Sequence, residues 1–378
     1  MNKESILKKP AVQALLSSLA CIVLGLFAGF IVLTFIDARG AASALFDIIR
    51  NFFRYPSAPV ALKYFGNTIV KTAPLLMCSL SILFAYKVGL FNIGVAGQYA
   101  FGTGLALFAA LHWQLPWIVC ILLACVGASL LGAISGFLKS YCNVNEVISG
   151  IMLNWLSLYT TNMMLTVVKE TTSPYTKNIV NVNHSALLPN IGLDKLFNNN
   201  QYVTVAIPLA IVLSILVWFV LEKTKFGYEL KATGFNKHAA KYCGMKEKRN
   251  TILTLIIAGA LAGLGAAMFY LTGYEQWQCT QSSVPGMGFN GIAAAFLGGL
   301  HPIGAIFSSL FIQHITEGGA YVDKTLYCSQ ISDLISSIII YLCGFVLFMK
   351  LALNKWLAKR DEAGSSKDAA GTGKGGRS

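Results

Sequence analysis

Uncharged apolar windows recur along the whole chain, separated by short polar or charged punctuation. A helix of about 20 residues crosses roughly 30 Å of hydrocarbon. Four windows, 11–36, 147–168, 196–221 and 250–274, each fit one such crossing. Two others, 88–138 and 276–316, are too long for one. The first is interrupted by His112-Trp113-Gln114-Leu115-Pro116-Trp117 and the second by Gly298-Gly299-Leu300-His301-Pro302. Clusters of Gly, Pro and polar residues break helices, so each of these windows predicts two spans. Shorter runs at 72–86 and 334–349 lengthen into spans if Lys71 and Asp333 sit near an interface. The pattern predicts an all-α polytopic membrane protein of about ten transmembrane helices.

Composition agrees with a bilayer as solvent. Mean hydropathy is +0.62 and only 12% of residues are charged, against about a quarter in a soluble protein. Charge then orients the chain. An even number of spans puts both termini on one side, together with Lys87, Lys139 and the segment 222–250. Those regions hold twenty of the 29 Lys and Arg, against nine elsewhere. Basic loops stay in the cytoplasm, so both termini are expected there. The net charge of +13 is accounted for in this way and calls for no nucleic acid. Lys3, Lys8 and Lys9 precede an apolar stretch too long for a cleaved signal, which reads as a retained anchor. Residues 1–360 read as one transmembrane domain, and 361–378, rich in Gly, Ala, Ser and Lys, as a disordered cytoplasmic tail.

Three segments are too polar or too rich in glycine for plain lipid-facing helix. In "GLFNIGVAGQ", Asn92, Gly94, Gly97 and Gln98 interrupt an entering helix. Broken backbone at membrane depth is tolerated only against other protein or a wet cavity, so this stretch should face inward. Close packing of small residues is the simpler role for its glycines. In 286–304, Phe289-Asn290 followed by small residues repeats Phe91-Asn92 followed by small residues. Transporters often join two related halves through discontinuous helices near the bilayer midplane, so the doubled interruption predicts two discontinuous elements beside a central path. Phe91, Asn92, Gly94, Gly97, Gln98, Phe289 and Asn290 are the candidate path residues. The third segment is the cytoplasmic loop 222–250. Gly234 and Asn236 predict a turn and a helix cap, and Ala239, Ala240 and Cys243 follow on one side of a short helix ended by Gly244. A short helix with a small-residue face is shaped for a cleft on a partner.

Catalytic chemistry finds no support. The nine cysteines form no CxxC and fall mostly in apolar windows, where they read as small packing residues. Cys279 and Cys328 both fall near the outer face, the compartment that permits a disulfide. The five histidines make no HExxH, so no metal site is expected. The tail motif GTGKGG lacks the Ser or Thr that must follow a phosphate-loop lysine. No cofactor is expected on this chain, and any ATP must be bound by another subunit.

At these same residues a family resemblance appears. "GLFNIGVAGQ" (89–98), "NEVISGIMLNW" (145–155), "FGYELKATGFNKHAAKYCGM" (226–245) with "ALAGLGAA" (260–267), and "GFNGIAAAFLGGLHPIGAIFSSLF" (288–311) occur in order over most of the chain. The chain resembles a permease subunit of a bacterial ABC importer, of the family with branched-chain amino acid, ribose and nucleoside permeases, and most of all its nucleoside branch. Ala96 departs from the pattern, which has Glu before the Gly-Gln pair. The resemblance implies a multi-pass subunit of the bacterial inner membrane, not itself an enzyme, that translocates nucleosides. It further implies a second permease, in this branch commonly a different chain, two cytoplasmic ATP-binding subunits and an external substrate-binding lipoprotein. Gly234, Asn236, Ala239, Ala240 and Gly244 would then couple to the ATPase, and the outer loop 169–201 would face the binding protein or simply be solvated. Alternatives are a simple sugar or a riboflavin-like vitamin as cargo, or an ion-coupled secondary transporter. The last would bury paired ionisable groups, for which Glu317 and Asp333 are the acidic candidates.

Overall fold

The computed structural model describes residues 10–323 without a break, together with 325–328 and isolated positions from 334 to 355. The expected span at 334–349 lies largely outside the described residues. So do the N-terminal lysines, Asp333, Cys343 and the tail 361–378.

Helix α1 (Pro10–Ile36) is followed by the amphipathic α2 (Ala41–Arg50), and then by α3 (Ala58–Lys87), which carries Pro74 within it. Next come α4 (Val95–Leu111), α5 (Trp117–Tyr141) and α6 (Glu146–Leu165). An irregular segment leads to α7 (Ala206–Lys223), then α8 (Lys225–Phe235), the six-residue α9 (Lys237–Tyr242) and α10 (Glu247–Tyr270). Helices α11 (Gly286–Leu297) and α12 (Pro302–Gly318) follow. Among the described residues six helices, α1, α3, α5, α6, α7 and α10, are long and apolar enough to cross a membrane, whereas α4 and α11 are apolar but shorter. Among the described residues there is no sheet, only two isolated bridges.

The breaks within the two long windows fall where the sequence places them. Gln114 takes a positive φ of 51° between α4 and α5, and Gly299 and Leu300 take 67° and 56° between α11 and α12. Pro302 then occupies the first turn of α12, where its missing N–H costs nothing. Helix α7 starts ten residues later than its apolar window, because 196–205 belongs to the preceding segment and Asn198 and Asn199 are held at φ 55° and 53°.

Of these six long helices α3 and α10 are the most enclosed, and the main core gathers around them with α4 and α5. A second core joins α1, α2, α11 and α12. Helices α5 and α10 approach closely because small residues face each other: a side chain at Gly259 or Gly263 would run into the backbone of Ala128 or Ala124. The outward faces are apolar stripes at helical spacing, such as Ile118, Leu122, Val126 and Leu130 on α5 and Val212, Leu216 and Phe219 on α7. Surface of this kind suits lipid rather than water.

Connections gather at two ends of the bundle. At one, Gly234 touches Val88 and Gly89, and Ser140 Oγ donates to the Lys248 carbonyl at 3.4 Å. At the other, the 169–201 segment is bonded to the turns after α4 and α10. Asn183 Nδ2 donates to the carbonyls of Ala110 (2.9 Å) and Leu115 (3.1 Å). The Leu188 amide donates to the Leu271 carbonyl, and that of Thr176 to Trp277. Asn200 Nδ2 reaches Lys63 O and Asn67 Oδ1 on α3. The 169–201 segment is therefore a fitted cap with buried Ile179, Ala186 and Leu188, not a solvated loop.

Candidate transport path and coupling segment

The first interruption is a bend rather than a hole in a helix. Helix α3 ends at Lys87, Gly89 turns the chain at φ +75°, and α4 begins at Val95, so Gly97 and Gln98 lie in the first turns of α4. Polar side chains hold the bend. Asn92 Nδ2 donates to Ser81 Oγ at 3.1 Å and to Gln98 Oε1 at 2.9 Å. From α6, Asn154 Oδ1 accepts the Gly97 amide at 2.8 Å while its Nδ2 donates to the Ile93 carbonyl at 3.1 Å. Asn154 thus spans the bend on both sides. It was not among the candidate site residues, although it lies within the motif "NEVISGIMLNW". Asn92, Gln98 and Asn154 are all buried, and the network answers the need of buried amides for partners.

The two interruptions meet through their backbones and not through their Phe-Asn pairs. A side chain at Gly288 would overlap Ala96, so the start of α11 lies directly on the start of α4. Gly94 in turn lies against Gly150 of α6. Phe91 and Asn92 precede α4, whereas Phe289 and Asn290 lie inside α11, so the repeated dipeptide occupies unlike positions. Phe289 is 41% exposed and Asn290 half-buried, whereas Asn92 is buried. Phe91 lines a cavity of about 420 Å³ with Tyr86, Lys87, Glu146 and Phe235.

The segment after α7 folds as a stand-off element. Thr224 caps α8, its Oγ1 accepting the Gly227 amide at 3.1 Å. Asn236 caps α9, its Oδ1 accepting the amides of His238 (3.0 Å) and Ala239 (3.1 Å). Gly244 at φ +81° ends the helix, in the conformation that favours glycine. The small-residue face is divided, which corrects the expectation that Ala239 and Ala240 share one outward surface. Ala239 is exposed, while Ala240 is buried within its own chain. Outward-facing bulk comes instead from Phe235 and Tyr242, which are 91% and 94% exposed.

Beneath this element lies a polar crevice of about 630 Å³ whose walls include Lys139, Asn143, Lys237, Lys248 and Glu247. Lys139 is paired with Glu146 at 2.6 Å, and Lys248 stands 4.4 Å over the Tyr141 ring. Nearby, burial and then the Lys87 charge hold the His301 imidazole below its ordinary range. Its Nδ1 accordingly accepts the Ile303 amide at 3.3 Å as the cap of α12.

At the other end, Lys71 of α3 pairs with Glu317 of α12 at 2.8 Å, and Gln313 Nε2 donates to the same carboxylate at 3.1 Å. Among the described residues, no three His, Cys, Asp or Glu side chains could hold a metal. Cys279 and Cys328 are not joined.

A multi-pass helical bundle with a buried, polar-braced bend and a capped helix standing off one end belongs to the class of membrane permeases. The chain is a member of the family described as branched-chain amino acid transport system / permease component, whose model matches residues 64–344. It is a permease subunit of an ABC transporter and a multi-pass protein of the bacterial inner membrane. It is 29% identical to the guanosine ABC transporter permease protein NupP of Bacillus subtilis, covering 90% of this chain and 96% of that one. It is 31% identical to the nucleoside ABC transporter permease protein NupB of Lactococcus lactis, over 82% and 87% of the two chains. A second Bacillus subtilis protein, the guanosine permease NupQ, is 28% identical over 65% and 77%. No solved structure matches the chain.

Proposed function

We propose that this chain translocates nucleosides into the cell. It works beside a second, different permease chain, is driven by cytoplasmic ATP-binding subunits and is supplied by an external substrate-binding lipoprotein. Support for the cargo comes from relatives named for nucleosides or guanosine that align along most of the chain. Support for a heterodimer comes from NupP and NupQ, two different chains of one organism that are both similar to this one. The observation that carries the energising role is the capped helix α9, which with Phe235 and Tyr242 presents an unpartnered aromatic surface. In this reading about ten helices cross the membrane, both termini are cytoplasmic, and residues 1–360 form the permease domain.

Phe91 and Phe289, which have open space beside them, stack or pack against the base. Asn92, Gly94, Gly97 and Gln98 hold the bend. When it opens, the freed amides trade hydrogen bonds with ribose hydroxyls and base edges, and Asn290 does the same from α11. Gly234, Asn236 and Gly244 shape the coupling helix, Ala240 seats it, and Ala239 lies against the ATPase.

A second reading is favoured by the Lys71–Glu317 pair, since ion-coupled carriers place ionisable groups within their spans. The pair is internally neutral and held by Gln313, which suits a lock better than a proton or ion relay. Uptake of tritiated guanosine by cells carrying the complete system separates the two. Deleting the ATP-binding subunit, or Ala239→Glu in a chain still inserted at normal levels, is expected to abolish uptake. Collapsing ion gradients at constant ATP is expected to leave it intact. Uptake that persists without the ATPase contradicts the proposal.

A further inference from the structure

Gly234 and Gly89 meet with no side chain between them. Gly234 lies one residue before the end of α8, and a Cβ built on it would overlap the Val88 carbonyl group. One built on Gly89 would lie 2.9 Å from the Gly234 carbonyl oxygen. The two cavities, of about 420 and 630 Å³, share the walls Gly89, Leu90, Gly234 and Phe235. The contact is therefore a bare bridge between the stand-off element and the bend, with empty space beside it. A separate anchor holds the element to the bundle, where Asn250 Nδ2 of α10 donates to Thr233 Oγ1 at 2.9 Å.

Beyond Gly89 the chain has little slack. The Leu90 amide donates to the Ala85 carbonyl at 3.0 Å, and two residues later Asn92 is bonded to Ser81 and Gln98. Ala96, against Gly288, lies two residues before Gln98. A push at Gly89 thus reaches α4, α6 and α11 within the ten residues from 89 to 98. Backbone against backbone transmits displacement without a rotamer to absorb it, and the flanking cavities leave the element room to tilt about the contact.

We propose that the Gly89–Gly234 contact is the transmission point of this permease, where movement of the docked cytoplasmic helix becomes movement of the bend. The inference rests on the docking reading above. Gly89 and Gly234 are positioning residues, and neither touches cargo or nucleotide in this account.

The test uses the complete transporter reconstituted in proteoliposomes and reads tritiated guanosine moved per ATP hydrolysed. Gly234→Ala wedges a methyl group into the contact. Gly89→Asn does so from the other side with a residue that tolerates positive φ, so it probes the contact rather than the turn. Each is expected to lower the ratio about tenfold. Gly192→Asn, at a glycine with φ +77° and nothing within 4 Å, is the control for the substitution itself and should leave the ratio unchanged. A wild-type ratio in either assembled variant, with uptake still dependent on ATP, overturns the transmission point and leaves the docking reading standing. ATP-independent uptake overturns the docking reading first. If neither variant assembles, hydrogen–deuterium exchange on the unaltered complex decides. Nucleotide binding must then change exchange at 88–94 together with 234–244, and a change confined to 234–244 refutes the inference.

Discussion

Asn183 and Asn200 reach out of the 169–201 segment to bond the backbone of other elements, so that this end of the bundle is stitched by side chains. Across the molecule Gly234 meets Gly89 with none, beside two cavities and below two almost fully exposed aromatic rings. The 169–201 segment has seven Asn and one Gly, whereas 222–250 has two Asn and three Gly, and the two residue types do opposite work. Asparagine amides fasten one end by satisfying orphaned carbonyls at the end of α4 and in the turn after it. Glycines leave the other end free to transmit motion. One end is built to stay and the other to move. Damage to each should therefore appear in a different measurement.

The largest separation is expected from the aromatic pair. Phe235→Glu with Tyr242→Glu should reduce ATP-driven guanosine uptake about thirtyfold or more, as loss of aromatic anchors does at interfaces. The stability of the permease should change by no more than about 0.5 kcal/mol, because both rings already face away from their own chain. A parallel loss of stability would show that the rings belong to the fold, and the contrast between the two ends would break.

Asn183→Leu should do the reverse. It leaves two carbonyls and the Ser185 amide without their partner, which costs about 2–4 kcal/mol in all. The loss should be read as a lower thermal midpoint of the purified permease, with guanosine moved per ATP unchanged in the protein that remains folded. A stable Asn183→Leu protein would show that the cap is merely laid over the bundle.

The helical windows, their breaks and the cap of α9 were legible because each rests on local chemistry. Apolar length, a Pro-led or Gly-led turn, and Asn236 followed eight residues later by Gly244 are all visible in a few residues of text. The family resemblance was legible for another reason, since its four motifs coincide with the bend, the brace on α6, the stand-off element and α11. Partnership across the chain was not legible. Asn92 and Gln98 read as amides free for a cargo, yet they are bonded to each other and to Ser81, a pairing set by where α3 and α4 come together. The 169–201 segment, with its asparagines, read as a loop facing a binding protein or solvent for the same reason, because the carbonyls they bond lie up to 137 residues away. Ala239 and Ala240 are neighbours on a helix that advances 100° per residue, and only the packing of α9 on the bundle decides which of them turns inward.

The central claim is that the surface of α9 and its flanks docks on an ATP-binding subunit in the cytoplasm, and Cys243 stands exposed at the end of that helix. With the other eight of the nine cysteines replaced, a membrane-impermeant maleimide tests it directly. In inside-out vesicles stripped of the ATP-binding subunits, Cys243 should label quickly. Adding those subunits back should protect it, and in intact cells it should never label from outside. Labelling from outside, or labelling from inside at the same rate with and without the ATP-binding subunits, would contradict the account.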